Sequence, residues 1–282
     1  MQRFRAVKSK QTLGQSASYV AVLVGLCLSA CTGTFSDQPT PEAAKRFLQL
    51  RGYHFDERSF FRAAAEGDVL AVNGFISAGI NINAKDETDN TALTASSIRG
   101  DAKVVEALLR GGADVNAKGR NGLNALLLAL SQKRGSVTDL LLAQQHLDLK
   151  AQAPDGMNGL MMAVWHQQER AVQTLLTRGV DVNHQDKDGD AAVHGAALYG
   201  NARILKLLLD GGANPNVKNQ LGGTALMWAA AYGHEEIVSV LLDRGADPRI
   251  PDVDGVTAAG WASKNSRGRI ELMLKAAERD RQ

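Results

Sequence analysis

A period of 33 residues constrains this chain more than any other feature of it. The string Gly-Ala-Asp-x-Asn, or a close variant, stands at Gly112–Asn116, Gly179–Asn183, Gly212–Asn216 and Gly245–Arg249, and in worn form at Gly79–Asn83. A second landmark, the residue before the first apolar run of each unit, falls at Thr91, Asn124, Asn158, Ala191, Thr224 and Thr257, with spacings of 33, 34, 33, 33 and 33. Counting back 33 from Thr91 reaches Arg58, where Phe60 takes the place of Leu93 and Gly67 that of Gly100. Self-similarity at this period marks a linear stack in which each unit touches only its neighbours and none buries its apolar face alone. The count is seven units, the first and last atypical.

The residues of a single unit predict its shape. Thr224 can cap a helix by accepting a backbone N–H, and the apolar run Leu226 to Ala230 is rich in alanine, which lets helices approach closely. Gly233 ends that helix. Ile237, Val238, Leu241 and Leu242 then recur at i, i+1, i+4 and i+5, an apolar stripe on a second helix that Gly245 stops with a left-handed cap. Asp186-Lys-Asp-Gly189 and Asp252-Val-Asp-Gly255 have the chemistry of tight turns projecting from the stack. Each unit reads as turn, helix, turn, helix, and the fold class is all-α.

The segment Gly222-Gly-Thr-Ala-Leu-Met-Trp-Ala-Ala-Ala-Tyr-Gly-His-Glu-Glu-Ile-Val-Ser-Val-Leu-Leu-Asp-Arg-Gly-Ala-Asp247 closely resembles the ankyrin repeat. That family carries Gly-x-Thr-Pro-Leu-His-x-Ala-Ala, then Gly-His, an Ile-Val…Leu-Leu helix and Gly-Ala-Asp. The resemblance implies a solenoid of about seven helix-turn-helix units over 55–282, near 55–85, 86–118, 119–152, 153–185, 186–218, 219–251 and 252–282. Departures are local: Ala92, Ala192 and Ala225 replace proline, Asn124 and Asn158 replace threonine, and Lys133-Arg-Gly135 replaces the tight glycine turn of the third unit.

The amino terminus carries a different message. Arg3, Arg5, Lys8 and Lys10 form a positive stretch without acids, and Tyr19 to Leu28 is apolar but too short for a stable membrane span. Leu28-Ser29-Ala30-Cys31 then resembles the bacterial lipobox. The resemblance implies removal of residues 1–30, acylation of Cys31 and its new amino group, and anchoring in the cell envelope, since several acyl chains hold where one does not. Thr32 in place of Asp implies the outer membrane, with the domain facing the periplasm. Residues 31–39 read as a tether and 40–54 as a short helix or amino-terminal cap, opened by Thr40-Pro41-Glu42 and closed near Gly52, with Phe47, Leu48 and Leu50 lying on the first unit. At the other end Trp261, Ile270, Leu272, Met273 and Leu274 are expected in the core of a terminal capping unit.

Composition matters only after this cleavage. Loss of residues 1–30 removes four Lys/Arg and no acid, leaving 28 basic residues against 30 acidic and moving the net charge from +2 to −2. Such a chain has no electrostatic footprint for nucleic acid. Cys27 leaves with the leader and Cys31 takes the lipid, so neither disulfide nor cysteine chemistry is expected.

Catalytic and metal signals are absent from the pattern. His54, His146, His166, His184, His194 and His234 are spread along the chain without paired ligand spacing, and the acid pairs Asp186/Asp188 and Asp252/Asp254 lack a calcium loop's closing glutamate. His194 and His234 coincide with positions where ankyrin units carry a hydrogen-bonding histidine. No enzyme, cofactor or metal site is expected, and the chain reads as a monomer.

What remains is surface. The family resemblance places partner binding on the concave side, where helix ends carry Arg99, Gln132, Trp165, His166, Tyr199 and Tyr232 and turns carry Arg120, Lys187, Asp190 and Gln220. Trp165, Tyr199 and Tyr232 fall in adjacent units at nearly one register, and such side chains give large contact area at little rotamer cost. The expectation is a non-catalytic scaffold binding another envelope protein. The alternative is an inhibitor or immunity-type protein that occludes a toxin or periplasmic enzyme.

Overall fold

A computed structural model describes residues 39–280. The leader, Cys31 and the tether up to residue 38 lie outside the described residues. Helix α1 (Pro41–Leu50) precedes seven helix pairs: α2 (Glu57–Glu66) and α3 (Val69–Ser77), α4 (Ala92–Arg99) and α5 (Ala102–Arg110), α6 (Ala125–Ser131) and α7 (Gly135–Leu142), α8 (Gly159–Trp165) and α9 (Glu169–Thr177), α10 (Ala192–Tyr199) and α11 (Ala202–Asp210), α12 (Ala225–Tyr232) and α13 (Glu235–Asp243), α14 (Ala258–Lys264) and α15 (Gly268–Asp280). Among the described residues there are fifteen α-helices and no strand, as the period requires.

First helices stack in one layer and second helices in another. From the second unit onward the first helices lie closer to their counterparts than the second helices do, which curves the array toward the first-helix side. The cause is side-chain size. Ala129, Ala163, Ala196, Ala229 and Ala262 are fully buried in the first-helix layer, whereas the second helices present Val105, Leu141, Leu175, Leu208 and Leu241.

Each first helix opens on a cap, and the caps differ. Thr91, Asn124, Asn158 and Thr257 accept the N–H three residues on. Thr224, read as a cap from sequence, makes no such bond; its carbonyl takes the Met227 N–H at 3.0 Å instead. Ala191 has no side chain that could cap; its carbonyl takes the His194 N–H at 3.0 Å, and the reciprocal bond is present, His194 Nδ1 accepting the Ala191 N–H at 2.9 Å. The first unit also departs from the count. Its cap is Asp56, two residues before Arg58, so α2 is longer than its counterparts.

Seven first helices end on a left-handed residue, at Gly67, Gly100, Lys133, Gln167, Gly200, Gly233 and Ser266. Three are therefore not glycine, where the sequence signalled only the Lys133 departure. Each costs about 1 kcal/mol relative to a glycine, borne by the helix packing on both sides.

Units are joined by repeated hydrogen bonds, which give the Asp and Asn of the motif their reason. The Asp closes its own turn, as Asp114 Oδ1 accepts the Asn116 N–H at 2.9 Å. The Asn clamps the next unit twice: Asn216 accepts the Asp247 N–H at 2.7 Å and donates to the Gly245 carbonyl at 3.1 Å. On the other side of the stack, from the third unit onward, the residue after the left-handed turn reaches back one unit, as Gln168 does to the Leu130 carbonyl at 2.7 Å and His234 to the Leu198 carbonyl at 3.1 Å.

The two ends correct three assignments. Leu48 is buried on α3, but Leu50 is 69% exposed. Ile270 and Leu274 are core, whereas Leu272 is 71% exposed on the outer side of α15. Trp261 is only half-buried and lines an open cavity, its indole N–H donating to Asp252 Oδ2 at 2.8 Å. At the amino end Tyr53, Phe55 and Phe60 surround Phe75, and burial with the Glu66 hydrogen bond pushes the Tyr53 hydroxyl up to about 12.

Candidate functional site

The inner face is built from the carboxyl ends of the first helices and the turns that precede them. A helix ending in a left-handed residue turns away sharply, so its last side chain stands proud of the layer. Tyr199 and Tyr232 occupy that position directly before Gly200 and Gly233, Trp165 stands one residue earlier in its unit with His166 in the tyrosine register, and Trp165, Tyr199 and Tyr232 are 41%, 45% and 51% exposed. The packing does not treat them alike. Trp165 and Tyr199 meet edge to face, centroids 5.4 Å apart and planes at 89°. Gly195 lies beneath, where an added Cβ would touch Val164 and the Trp165 ring. Tyr232 instead leans on Trp228, 6.1 Å away, and stacks on the His234 ring.

The other expected contact residues divide between free and occupied. Arg120 and Lys187 have exposed side chains, and Gln132 is exposed with its amide donating to the Ser131 hydroxyl at 3.4 Å. Arg99 is spent within the array, bonded to Asp101 at 2.7 Å and to the Ala64 carbonyl at 2.8 Å. Asp190 accepts from Asn219 at 3.0 Å and lies 3.5 Å from His194, and the Gln220 side chain donates to the Lys187 carbonyl. His166 is half-buried, and burial, then nearby Lys133, hold its pKa below the ordinary imidazole value.

His184, His194 and His234 hydrogen-bond within the array. The His194 ring is buried between the Ala191 N–H and the Val217 carbonyl, which fixes its proton on Nε2, and burial lowers its pKa although Asp190 opposes the shift. Among the described residues no group of three or more His, Cys, Asp or Glu could hold a metal ion, and no helix is long and apolar enough to cross a membrane.

Sequence reasoning missed Trp228, taken only as part of an apolar run, and Leu221, whose turn tip is 69% exposed. Trp228 Nε1 is closed off from solvent without an acceptor. The available signal was the repeat itself. The register of Trp228 is held by Ala95, Leu128, Met162 and Gly195 in the preceding units and by Trp261 in the next, so two indoles come one above the other at the carboxyl end of the array alone.

The same arrangement recurs in other proteins. A three-copy ankyrin repeat model matches residues 60–153, 92–186, 160–252 and 193–280, which together span most of the chain. No curated protein matches the sequence. Among solved structures, the ankyrin repeat domain of Bcl-3, described as a unique member of the IkappaB protein family, is 29% identical with a TM-score of 0.68, covering 77% of this chain and 97% of that one. An ankyrin repeat domain from Acinetobacter baumannii AYE is 34% identical with a TM-score of 0.64, over 68% of this chain and all of that one. The human ASB11 ankyrin domain is 25% identical with a TM-score of 0.64, over 76% and 96%. With the period, the helix pairs and the family match in agreement, this chain belongs to the ankyrin repeat family.

Proposed function

We propose that this protein is a non-catalytic scaffold, held in the bacterial envelope by lipid on Cys31, that receives another envelope protein on its inner face. Ankyrin arrays are in general protein interaction scaffolds. The observation that carries the choice of face is the exposed Trp165–Tyr199 pair, braced edge to face by neighbouring units. Two aromatic rings already fixed against one another lose little freedom when a partner covers them.

The test is affinity capture from solubilised envelope with the full lipoprotein. Replacing Trp165, Tyr199 and Tyr232 together by Ala should abolish capture while thermal unfolding stays nearly unchanged; retained capture refutes the face. Cys31→Ser should move the chain from the membrane to the soluble fraction. If partner-free Cys31→Ser protein still sediments with membranes, the lipid anchor is refuted.

A further inference from the structure

The inner face contains a cavity of about 420 Å³ between the sixth and seventh units, open on one side. Trp228, Tyr232 and Trp261 wall it, with Met227 behind and Leu221 at the mouth. The two indoles differ. Trp261 is pinned, its Nε1 donating to Asp252 Oδ2 at 2.8 Å. Trp228 Nε1 has no acceptor among the described residues, so no hydrogen bond resists a turn of that ring. One wall is held by a hydrogen bond and the other by packing on the core and on Tyr232.

Lys264 Nζ lies 5.2 Å from the Trp261 ring centroid, and Arg267 lines the rim with only a long 3.5 Å contact from Nε to the Ala231 carbonyl. Neither makes a salt bridge among the described residues. The one carboxylate lining the cavity, Asp252, is occupied by the Asp254 and Val256 N–H groups and the Trp261 indole. Lys264 lies outside the lining and faces Asp252, whose ionised form it favours, so the Asp252 charge is already met from within and Arg267 is the lining cation left for an occupant that is apolar in the middle and anionic beside it.

We propose that this cavity is a subsite for an acidic, apolar segment of a partner polypeptide, with one aromatic or large aliphatic side chain between Trp228 and Trp261 and a neighbouring carboxylate against Arg267. The proposal rests on the inner-face reading above. A polypeptide is favoured over a small lipid because Leu221 and Val253, 69% and 66% exposed, carry the apolar surface beyond the mouth onto two adjacent turn tips. A segment lying across the slot would cover both.

The chain has three tryptophans, so the full-length protein gives three indole N–H signals. The probe is the synthetic peptide Gly-Ser-Asp-Phe-Asp-Ser-Gly. It should shift the Trp228 and Trp261 signals saturably and leave Trp165 in place. Exchanging its Phe for Ala should weaken binding at least about tenfold, and exchanging both Asp for Asn about fivefold. Arg267→Gln should reduce that preference for Asp, and the exchange of Asp for Asn reads the same contact on the unaltered protein if this variant unfolds.

No shift at either pocket indole at about 5 mM peptide, equal binding of the Phe and Ala peptides, or no preference for Asp over Asn would overturn the proposal. So would competition by dodecanoate, which would assign the slot to a fatty acid. A shift confined to Trp165 sinks the pocket and keeps the inner face. Pocket binding together with partner capture that survives the Trp165→Ala/Tyr199→Ala double variant, which leaves the Tyr232 wall intact, sinks the Trp165–Tyr199 reading and keeps the pocket.

Discussion

The joint between the third and fourth units and the joint between the fifth and sixth are built from one repeat and held differently. At the later joint Asn216 clamps the next unit at both ends, the Gln220 N–H bonds the Asp188 carbonyl at 3.0 Å, and His234 reaches back to Leu198. At the earlier joint Lys150 stands in the Asn register, an extra residue precedes it, and no residue from 143 to 147 is left-handed. The clamp is missing, and a cavity of about 620 Å³ opens beside Leu147, Lys150 and Arg178. In its place Arg178 donates to the Leu142 and Gln144 carbonyls at 2.8 and 3.1 Å. Because array stability is a sum of units and nearest-neighbour interfaces, one substituted clamp makes a local weak point without spoiling the fold.

The largest contrast is expected from one substitution made in both places. Gly122 and Gly189 sit at the same register, with φ of +74° and +78°. A Cβ on Gly122 meets nothing within 4 Å, whereas on Gly189 it meets the Gln220 backbone N at 2.9 Å. Gly122→Ala therefore carries only the left-handed penalty of about 1 kcal/mol. Gly189→Ala adds a backbone clash that forces the turns apart, for about 3 kcal/mol in all. Urea unfolding of the two variants decides, and equal losses would mean that the turns of the fifth and sixth units are not in contact.

Next in size are two substitutions at the weak joint, with opposite signs. Arg178→Ala removes two charge-assisted bonds to carbonyls and should cost about 2 kcal/mol. Hydrogen exchange should rise in α7 and α8 before α12. Lys150→Asn supplies the side chain that the other joints use and should gain up to about 1 kcal/mol, read as a higher urea midpoint at unchanged slope. A neutral outcome would show that the extra loop residue, not Lys150 itself, keeps the clamp from closing.

The contrast explains what could be read from the sequence. The stack, the helix pairs and the inner-face positions of Trp165, Tyr199 and Tyr232 followed from periodicity, because a repeat states each position several times. Unit-specific substitutions resisted the same logic. Gln167 and Ser266 at left-handed positions violate the glycine rule, and only packing on both sides of the turn permits them. The Trp165–Tyr199 contact depends on ring orientation across units, and the Trp228 pocket on which way an indole lies. Neither is encoded by register. Nor does register tell that Arg99 and Asp190 are bonded inside the array, since long or turn-borne polar groups in a stack find partners in the neighbouring unit.

The smallest effect tests the better-held half through its buried histidine. His194 ties the opening of its helix to the closing loop of the same fifth unit, accepting from Ala191 and donating to the Val217 carbonyl, and burial keeps its folded pKa below the ordinary value. A base with a depressed folded pKa is protonated first in the unfolded chain, so ν in the unfolded state exceeds that in the folded state and stability rises with pH in that window. Stability should thus be full above about pH 7 and fall as the pH drops through the unfolded value near 6.5. One proton limits the slope to about 1.4 kcal/mol per pH unit. His194→Gln keeps a donor and an acceptor, cannot titrate, and should flatten this part of the curve at a modest cost in stability at pH 8. His166, whose folded pKa is lowered in the same direction, contributes less because it is only partly buried. An unchanged slope in the Gln variant would place the acid sensitivity outside the fifth unit, and the two halves of the array would then differ in their clamps but not in their response to pH.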